Sequence, residues 1–157
     1  MKKTEIAVIL HNIRSSENAG SIMRTADAAG VARVYFAGYT PSPFDRFKRT
    51  NQKFVKASLG AEEFVAWETR ADISELIEEL RAKHYQIVSV ELSPDSIPFT
   101  RFTPSAKVAY IFGNEVDGVP EEILKVSDAV IEIPMKGKKE SLNVAVVAGI
   151  VLFGVQQ

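Results

Sequence analysis

The chain has 157 residues, of which 46% are hydrophobic and 25% charged, as is typical of one globular domain and not of a disordered segment. Nineteen basic and twenty acidic residues give a formal net charge of -1, so any affinity for nucleic acid must come from local clusters. The absence of cysteine excludes disulfides and thiolate chemistry, and two histidines are too few for a histidine-rich metal site. We expect no metal.

The first ten residues combine two lysines with an apolar run, as a signal peptide does. His11, Asn12 and Arg14 follow where a cleavage site would need small residues, so we interpret the run as a strand. The apolar segment 144–155 is too short to span a bilayer and contains two glycines. We therefore expect one domain over residues 1–157, in the cytoplasm and away from membranes.

Short apolar runs rich in β-branched residues predict strands at residues 6–10, 34–36, 87–92, 108–112 and 130–133. Because these runs are apolar on both faces, they indicate a buried, mostly parallel sheet. Helical patterns occupy residues 19–29 and 73–83, and Pro120 begins a short helix over residues 120–124. The alternation predicts an α/β fold with helices on both faces of the sheet.

The final predicted helix, residues 143–157, has no polar face until Gln156. A helix that is apolar all round must be covered on all sides. We interpret its exposed part as a subunit interface, which predicts a homodimer. The alternative is complete burial within its own chain.

Three loops that follow predicted strands carry candidate functional residues, because ligands of open α/β sheets bind beyond the carboxyl ends of strands. In the first loop, Asn18 is a candidate N-cap, and Gly20 would let the backbone approach a ligand at a helix N-terminus. Arg24 follows in the same helix. The alternative interpretation is a capped helix with a solvated arginine.

The second loop places Glu115 between Gly113 and Gly118, just before Pro120. This spacing suggests a tight turn against a small molecule, or an ordinary turn whose glycines supply positive φ.

The third loop follows the strand at residues 130–133, which Pro134 ends, and either Ser141 or Asn143 can cap the final helix. The alternative is a solvated basic hairpin that ends in a cap.

Together the loops resemble the three motifs of the SpoU (TrmH-like) branch of the SPOUT RNA methyltransferases, over residues 6–153. The family patterns are N-x-G-x-x-x-R, G-x-E-x-x-G and I-P-M-x-G-x-x-x-S-L-N-V-S. The matching residues are Asn18, Gly20 and Arg24, then Gly113, Glu115 and Gly118, then residues 133–144. Ala145 stands where the family often has serine.

The resemblance implies a C-terminal deep trefoil knot, which pattern reasoning alone would not suggest because threaded loops are rare. It also implies that the knot forms the pocket for S-adenosylmethionine, and that each active site of a homodimer borrows residues from the partner. If the final helix contributes to both the active site and the dimer interface, a charge at Val147 or Val151 is expected to impair both catalysis and dimerisation.

The same resemblance assigns roles to individual residues. The adenosine of the methyl donor is expected against backbone groups at Leu92, Gly113, Ile133, Met135 and Leu142. The polar residues expected around the reacting ribose are Asn18, Arg24, Glu115, Ser141 and Asn143. The implied activity is methyl transfer to a ribose 2′-hydroxyl of RNA.

Family accounts favour Arg24 as the group that activates the hydroxyl. The guanidinium group stays protonated in proteins and is a poor base. We instead expect Arg24 to clamp the adjacent phosphate and to stabilise the developing alkoxide.

RNA contacts are expected from residues 46–56, which combine five basic side chains with two phenylalanines, and from Lys136, Lys138 and Lys139. Each cluster can also be an ordinary solvated surface. We favour tRNA over rRNA as the substrate. The other candidates are an rRNA methyltransferase, a non-catalytic RNA-binding protein, a base methyltransferase and a nucleotide-binding α/β protein, although no G-x-G-x-x-G motif is present.

Overall fold

The computed structural model describes residues 2–156, which form a seven-stranded parallel sheet in the order β3-β2-β1-β6-β4-β7-β5. The strands are β1 (Glu5–His11), β2 (Arg33–Ala37), β3 (Ala66–Arg70), β4 (Gln86–Val90), β5 (Ile97–Pro98), β6 (Lys107–Phe112) and β7 (Ala129–Glu132). The helices are α1 (Ser16–Ala28), α2 (Gln52–Ser58), α3 (Ile73–Ala82), α4 (Glu121–Val126) and α5 (Val144–Gly154). Short 3₁₀ turns cover Ala61–Glu63 and Phe99–Arg101.

Apolar clusters cover both faces of the sheet. Successive side chains of a strand point to opposite faces, so one strand contributes to both clusters. In β1, Ile6, Val8 and Leu10 join the apolar cluster that includes α1 and α5, whereas Ala7 and Ile9 join the cluster that includes α3. The predicted parallel α/β architecture with helices on both faces is therefore confirmed.

The five predicted strands all exist, with ends that differ by one or two residues. The strand predicted at residues 87–92 ends at Val90, so Leu92 lies in a loop, and the strand predicted to end at Ile133 ends at Glu132. Strands β3 and β5 were not predicted. Trp67 is the only large apolar residue of β3, and β5 has two residues, one of them proline, so neither carries an apolar run.

Helix α1 begins three residues earlier than predicted. The Ser15 hydroxyl accepts a 3.1 Å hydrogen bond from the Asn18 backbone amide, so the N-cap is Ser15 and the prediction of Asn18 was wrong. Helix α2, inside the basic segment, was also missed.

Helix α5 begins directly after Asn143, whose side-chain oxygen accepts hydrogen bonds from the amides of Ala145 and Val146 at 2.8 and 3.3 Å. The predicted cap at Asn143 is confirmed. The helix ends at Gly154, and the predicted end at Gln157 lies outside the described residues. No helix within residues 2–156 is both long and apolar enough to cross a bilayer.

One face of α5 packs against the core and the other stays open. Ala148, Val151 and Leu152 are fully buried, and the helix lies against α1. Val146 and Phe153 are 49% and 48% exposed on the opposite side. The chain itself therefore leaves part of this apolar helix uncovered.

The topology brings several carboxyl strand ends together at one edge of the sheet. From β1 the chain moves outward to β2 and β3, and later places β6 and β4 on the other side of β1. Such a reversal opens a crevice at the carboxyl ends of the strands, which is where ligands of open α/β sheets bind.

Candidate active site

A cleft lies beyond the carboxyl ends of β4, β6 and β7, and we call it the edge cleft. Its volume is about 380 Å³, within the range of ~300–1,000 Å³ that small-molecule sites occupy. The first turn of α5 closes one side. The cleft is lined by Asn18, Val90, Glu91, Leu92, residues 112–118, Glu132, Ile133, Met135, residues 141–144 and Val147.

Apolar side chains form much of the cleft wall. Leu92 and Leu142 are each 42% exposed, an unusual state for leucine, while Ile133 and Met135 are half-buried. Exposed apolar side chains at a concave site favour a flat, largely apolar ligand group.

The charged side chains at the cleft are all acidic. Glu91, Glu115, Asp117 and Glu132 line it, and within residues 2–156 no lysine or arginine does so. This arrangement favours a ligand that carries positive charge and disfavours a phosphate.

A chain of hydrogen bonds joins the three sequence motifs at the cleft. The Asn143 side-chain nitrogen donates to the Asn18 side-chain oxygen at 3.1 Å. The Asn18 nitrogen in turn donates to the Glu115 carboxylate at 3.2 Å. These residues come from α5, α1 and the loop after β6, so one polar network fixes three elements relative to one another.

The Glu115 carboxylate is held at the N-terminus of α1. It accepts hydrogen bonds from the backbone amides of Arg14, at 2.9 and 3.1 Å, and of Ser15, at 3.1 Å. Partial burial acts to raise the pKa of Glu115, but these amides and the Asn18 side chain outweigh it and lower the pKa below its ordinary value. Glu115 is therefore an ionised group that is held in place by two backbone amides and that orients the Asn18 side chain.

The two glycines of the second motif permit a close approach of backbone to backbone. A Cβ on Gly113 would lie 2.4 Å from the Gly118 carbonyl carbon, and Gly118 itself has φ +69°. A Cβ on Gly118 would lie 2.1 Å from the Glu91 carboxylate, which accepts from the amides of Leu92 and Val119 at 2.9 Å. The turn is thus pinned to the loop after β4. The positive φ of Gly118 fits an ordinary turn, and contact of this turn with a small molecule stays a prediction.

Ser141 lies on the exposed loop that leads into α5 and lines the cleft. Within the described part of the chain its hydroxyl forms no hydrogen bond, so it is available to a bound molecule.

The candidate residues from the sequence line the cleft, except Arg24 and Gly20. Arg24 lies on the solvent-exposed side of α1, where its side chain forms no hydrogen bond or ion pair with any residue between 2 and 156. Within a single chain, Arg24 and the remaining predicted residues are therefore not brought together.

Gly20 has a different role from the one expected. It is buried, and a Cβ there would lie 2.3 Å from the Phe54 carbonyl oxygen and 2.9 Å from the Ala57 Cβ. The glycine therefore allows α1 to approach α2, and the prediction that it lets a ligand approach the backbone was wrong.

Two cleft residues that the sequence analysis did not identify hold the loops in place. Glu91 bridges two loops as described above. Asn114, which is buried, accepts from the amides of Val116 and Asp117 and donates to the Asn12 carbonyl and the Tyr39 hydroxyl, each at 2.9 Å. The signal in the sequence was a polar residue one or two positions after the end of a buried strand.

The described residues contain no group of three histidine, cysteine, aspartate or glutamate side chains placed to hold a metal. Fold and cleft together define a parallel α/β protein with an acidic, partly apolar cleft at the carboxyl edge of its sheet.

Comparison with known proteins gives the family. The SpoU rRNA Methylase family matches residues 5–153. A tRNA (guanosine(18)-2′-O)-methyltransferase of Thermus thermophilus is 30% identical over 156 residues, which cover 99% of this chain and 76% of that protein. A 23S rRNA (guanosine-2′-O-)-methyltransferase of Neisseria meningitidis is 32% identical over 152 residues, 97% of this chain and 58% of that protein.

Among solved structures, an AdoMet-bound rRNA methyltransferase from Sinorhizobium meliloti superposes with a TM-score of 0.88 at 30% identity. The match covers 98% of this chain, which spans only 56% of that longer one. The chain belongs to the SpoU rRNA methylase family.

Proposed function

We propose that this protein transfers a methyl group from S-adenosylmethionine to a ribose 2′-hydroxyl of RNA, with tRNA as the favoured substrate. The observation that carries the proposal is the convergence of three distant motifs on one cleft through the Glu115–Asn18–Asn143 hydrogen bonds. The named relatives act on guanosine ribose in tRNA and in 23S rRNA, which supports the same reaction class here.

The edge cleft fits the methyl donor in both shape and charge. Bound S-adenosylmethionine supplies an electrophilic methyl group on a positively charged sulfonium. Leu92 and Leu142 would pack against the adenosine, and backbone groups of Gly113, Ile133 and Met135 would hold its polar edge. The acidic lining attracts a cation, which argues against the alternative of a nucleotide-binding protein.

The reacting ribose would lie beside the start of α5. Asn143 and Ser141 face the cleft there, and Asn18 is held in place by Glu115. Their contribution is to align the 2′-oxygen with the methyl group, because a methyl transfer requires oxygen, carbon and sulfur in line. The Glu115 carboxylate would act through Asn18, to which it is hydrogen-bonded.

The site becomes complete in a homodimer. Arg24 lies outside its own cleft. On α5, the side chains of Val146 and Phe153 are exposed on the face opposite the core. A second copy that covers this face would bring its own Arg24 to the ribose, where a guanidinium clamps phosphate and stabilises developing negative charge.

Mixing two inactive variants tests this arrangement. Arg24→Ala and Ser141→Ala are each expected to be inactive alone. If Arg24 acts across subunits, a mixture refolded together regains about a quarter of the wild-type rate, because half the dimers carry one intact site. If Arg24 acts within its own chain, no mixed dimer has an intact site and the mixture stays inactive.

We also propose that residues 1–157 form one catalytic domain with a C-terminal trefoil knot. The protein would act in the cytoplasm. The insertion of β7 between β4 and β5, followed by the return of α5 to α1, supports a threaded path. A crystallographic trace of residues 91–156 tests it.

RNA binding would use the basic residues on both sides of the cleft. Lys136, Lys138 and Lys139 lie on the exposed loop of the third motif, and Lys53 and Lys56 lie on exposed positions of α2. Such clusters attract phosphates in a salt-dependent manner.

The decisive experiment has two parts. Calorimetry with S-adenosylmethionine tests the donor site, and no binding would contradict the proposal. Mapping of 2′-O-methyl groups in RNA from cells with and without the protein tests the reaction. Loss of a tRNA ribose methyl supports the proposal, loss of an rRNA ribose methyl changes the substrate, and loss of a base methyl would contradict ribose methylation. An unchanged RNA would favour the non-catalytic alternative.

A further inference from the structure

A second concavity lies outside the edge cleft, in the long loop between β2 and α2. We call it the aromatic hollow, and its lining includes Tyr39, Thr40, Phe44, Asp45, Arg46 and Asn51. The proposed donor site and its ribose residues do not use it.

The loop exposes aromatic rings to an unusual degree. Tyr39, Phe44 and Phe47 are 61%, 48% and 62% exposed. Arg46 and Arg49 stack on Phe47, with their guanidinium carbons 4.7 and 5.0 Å from its ring centre. Three exposed aromatic rings within one loop place apolar area in water, which favours a role in binding.

The loop is also fixed in shape by its own hydrogen bonds. The Asp45 carboxylate accepts from the amides of Phe47 and Arg49 at 2.8 and 3.0 Å, and from Arg49 Nε at 2.7 Å. The Asn51 side chain donates to the Ser16 hydroxyl at 3.0 Å and to the Ser42 carbonyl at 3.3 Å. A ligand would therefore meet a prepared surface, with little ordering cost.

One hydrogen bond connects the aromatic hollow to the edge cleft. Tyr39 lines the hollow, and its hydroxyl accepts from the side-chain nitrogen of Asn114 at 2.9 Å. Asn114 lines the edge cleft. The two concavities are therefore neighbours at the same edge of the sheet.

The charge around the hollow indicates which class of molecule would bind there. Residues 39–56 contain five basic side chains and one acidic one, in a chain whose net charge is -1. Aromatic faces beside arginines suit a molecule with flat bases and an anionic backbone, and exposed stacking platforms of this kind bind single strands. A protein partner with an acidic surface would match the charge but not the stacked rings.

We propose that the aromatic hollow binds an unpaired nucleobase of the RNA substrate next to the target nucleotide. The base stacks on Tyr39 and Phe44, and Arg46 contacts a flanking phosphate, whereas Arg49 is paired with Asp45. This inference rests on the proposed function, since it takes RNA as the substrate. It implies that the protein acts on a loop or bulge and not within a continuous duplex, whose bases are unavailable for stacking.

The test uses a single-stranded oligoribonucleotide of about 12 nucleotides with a central 2-aminopurine, and the same strand annealed to its complement. Wild-type protein should bind the single strand with a fluorescence change and bind the duplex more weakly. Phe44→Ala should weaken single-strand binding about tenfold, since stacking on one ring contributes ~1–3 kcal/mol. Phe44→Tyr, which keeps the ring, should bind as the wild type does.

Two further variants separate stacking from charge and from damage to the fold. Phe64→Ala removes a ring that is 76% exposed outside the hollow and should change nothing. Arg46→Ala should reduce the slope of log affinity against log salt by about 0.7, as expected for one lost phosphate contact.

Three results would overturn the inference. The first is single-strand binding by Phe44→Ala equal to that of the wild type. The second is a loss of single-strand binding in Phe64→Ala as large as that in Phe44→Ala. The third is loss of the dimer in Phe44→Ala, which would make the hollow a subunit contact. Binding of S-adenosylmethionine, measured on the same variants, should stay unchanged. Its absence in the wild type would contradict the proposed function, whereas failure at the hollow alone leaves that function standing.

Discussion

The side-chain nitrogen of Asn143 donates a 3.1 Å hydrogen bond to the side-chain oxygen of Asn18, 125 positions earlier in the chain. The Asn143 oxygen at the same time accepts from the first amides of α5. One amide side chain thus both begins the last helix and joins it to α1, so its two functions can be separated by substitution.

Asn143→Asp should remove one function and keep the other. A carboxylate still accepts from the helix amides and remains a good N-cap, but it has no hydrogen to donate to Asn18. We expect a melting temperature close to that of the wild type and a methyl-transfer rate at least tenfold lower. Asn143→Ala, which loses the cap as well, should also cost ~0.5–2 kcal/mol of stability. Full activity in Asn143→Asp would show that the bond to Asn18 is dispensable.

Glu115 should make the free energy of unfolding depend on pH in the acidic range. Its pKa is lower in the folded state than in the unfolded state, because backbone amides and Asn18 outweigh the effect of burial. The stabilisation is therefore complete above the unfolded pKa of ~4.3 and is lost as the pH falls through the folded value. Urea unfolding between neutral pH and pH ~3 should show a smaller acid-dependent loss in Glu115→Gln than in the wild type. Glu63→Gln, at an exposed position, serves as the control, and identical curves for Glu115→Gln and wild type would contradict the assignment.

Gly20→Ala should destabilise the protein without weakening the methyl-donor site. The added methyl would overlap the Phe54 carbonyl at 2.3 Å, and overpacking of this kind costs ~1–3 kcal/mol. Gly149→Ala is the matched change in α5, where the nearest atom is 4.0 Å away, and should be neutral or stabilising. Urea unfolding compares the two variants. A large loss of S-adenosylmethionine affinity in folded Gly20→Ala would restore the original interpretation of this glycine as a ligand contact.

Charges on α5 should have opposite consequences on its two faces. Val146→Glu places a charge on the open face and should give a folded monomer that binds S-adenosylmethionine but transfers little methyl. Val151 is fully buried, so Val151→Glu should unfold the chain. Val147 lines the cleft of its own subunit, so neither position named in the sequence analysis tests the dimer cleanly. Sedimentation analysis and calorimetry separate these outcomes, and an active Val146→Glu monomer would rule out a site shared between subunits.

Arg24→Lys should lose most activity although it keeps the positive charge. Lysine cannot reproduce the two parallel hydrogen bonds that a guanidinium donates to phosphate. We expect kcat to fall at least tenfold, with unchanged affinity for S-adenosylmethionine, because Arg24 does not line the edge cleft of its own chain. Arg101→Lys, on an exposed 3₁₀ turn, is the control for a general effect of the exchange. Near-wild-type methylation by Arg24→Lys would contradict the clamp.

The sequence by itself determined the parallel sheet, narrowed the cap of α5 to Ser141 or Asn143, and supplied, through its family motifs, many of the residues that line the edge cleft. These features are local: apolar runs specify buried strands, and a motif carries its own turn geometry. Strand β3 escaped prediction because this edge strand has no buried residue and only one large apolar side chain, the partly buried Trp67, that packs against the core.

Only the tertiary structure decided which residues meet. In the folded chain, Glu115 accepts hydrogen bonds from the amides of Arg14 and Ser15, and Gly20 packs against α2. Arg24 lies outside the cleft of its own chain. Each outcome depends on contacts between residues far apart in the chain, or on the direction that one turn of helix gives a side chain. The spacing of residues in the sequence determines neither the long-range contacts nor the direction of a side chain. A motif places residues along an element, and the packing of elements decides what those residues face.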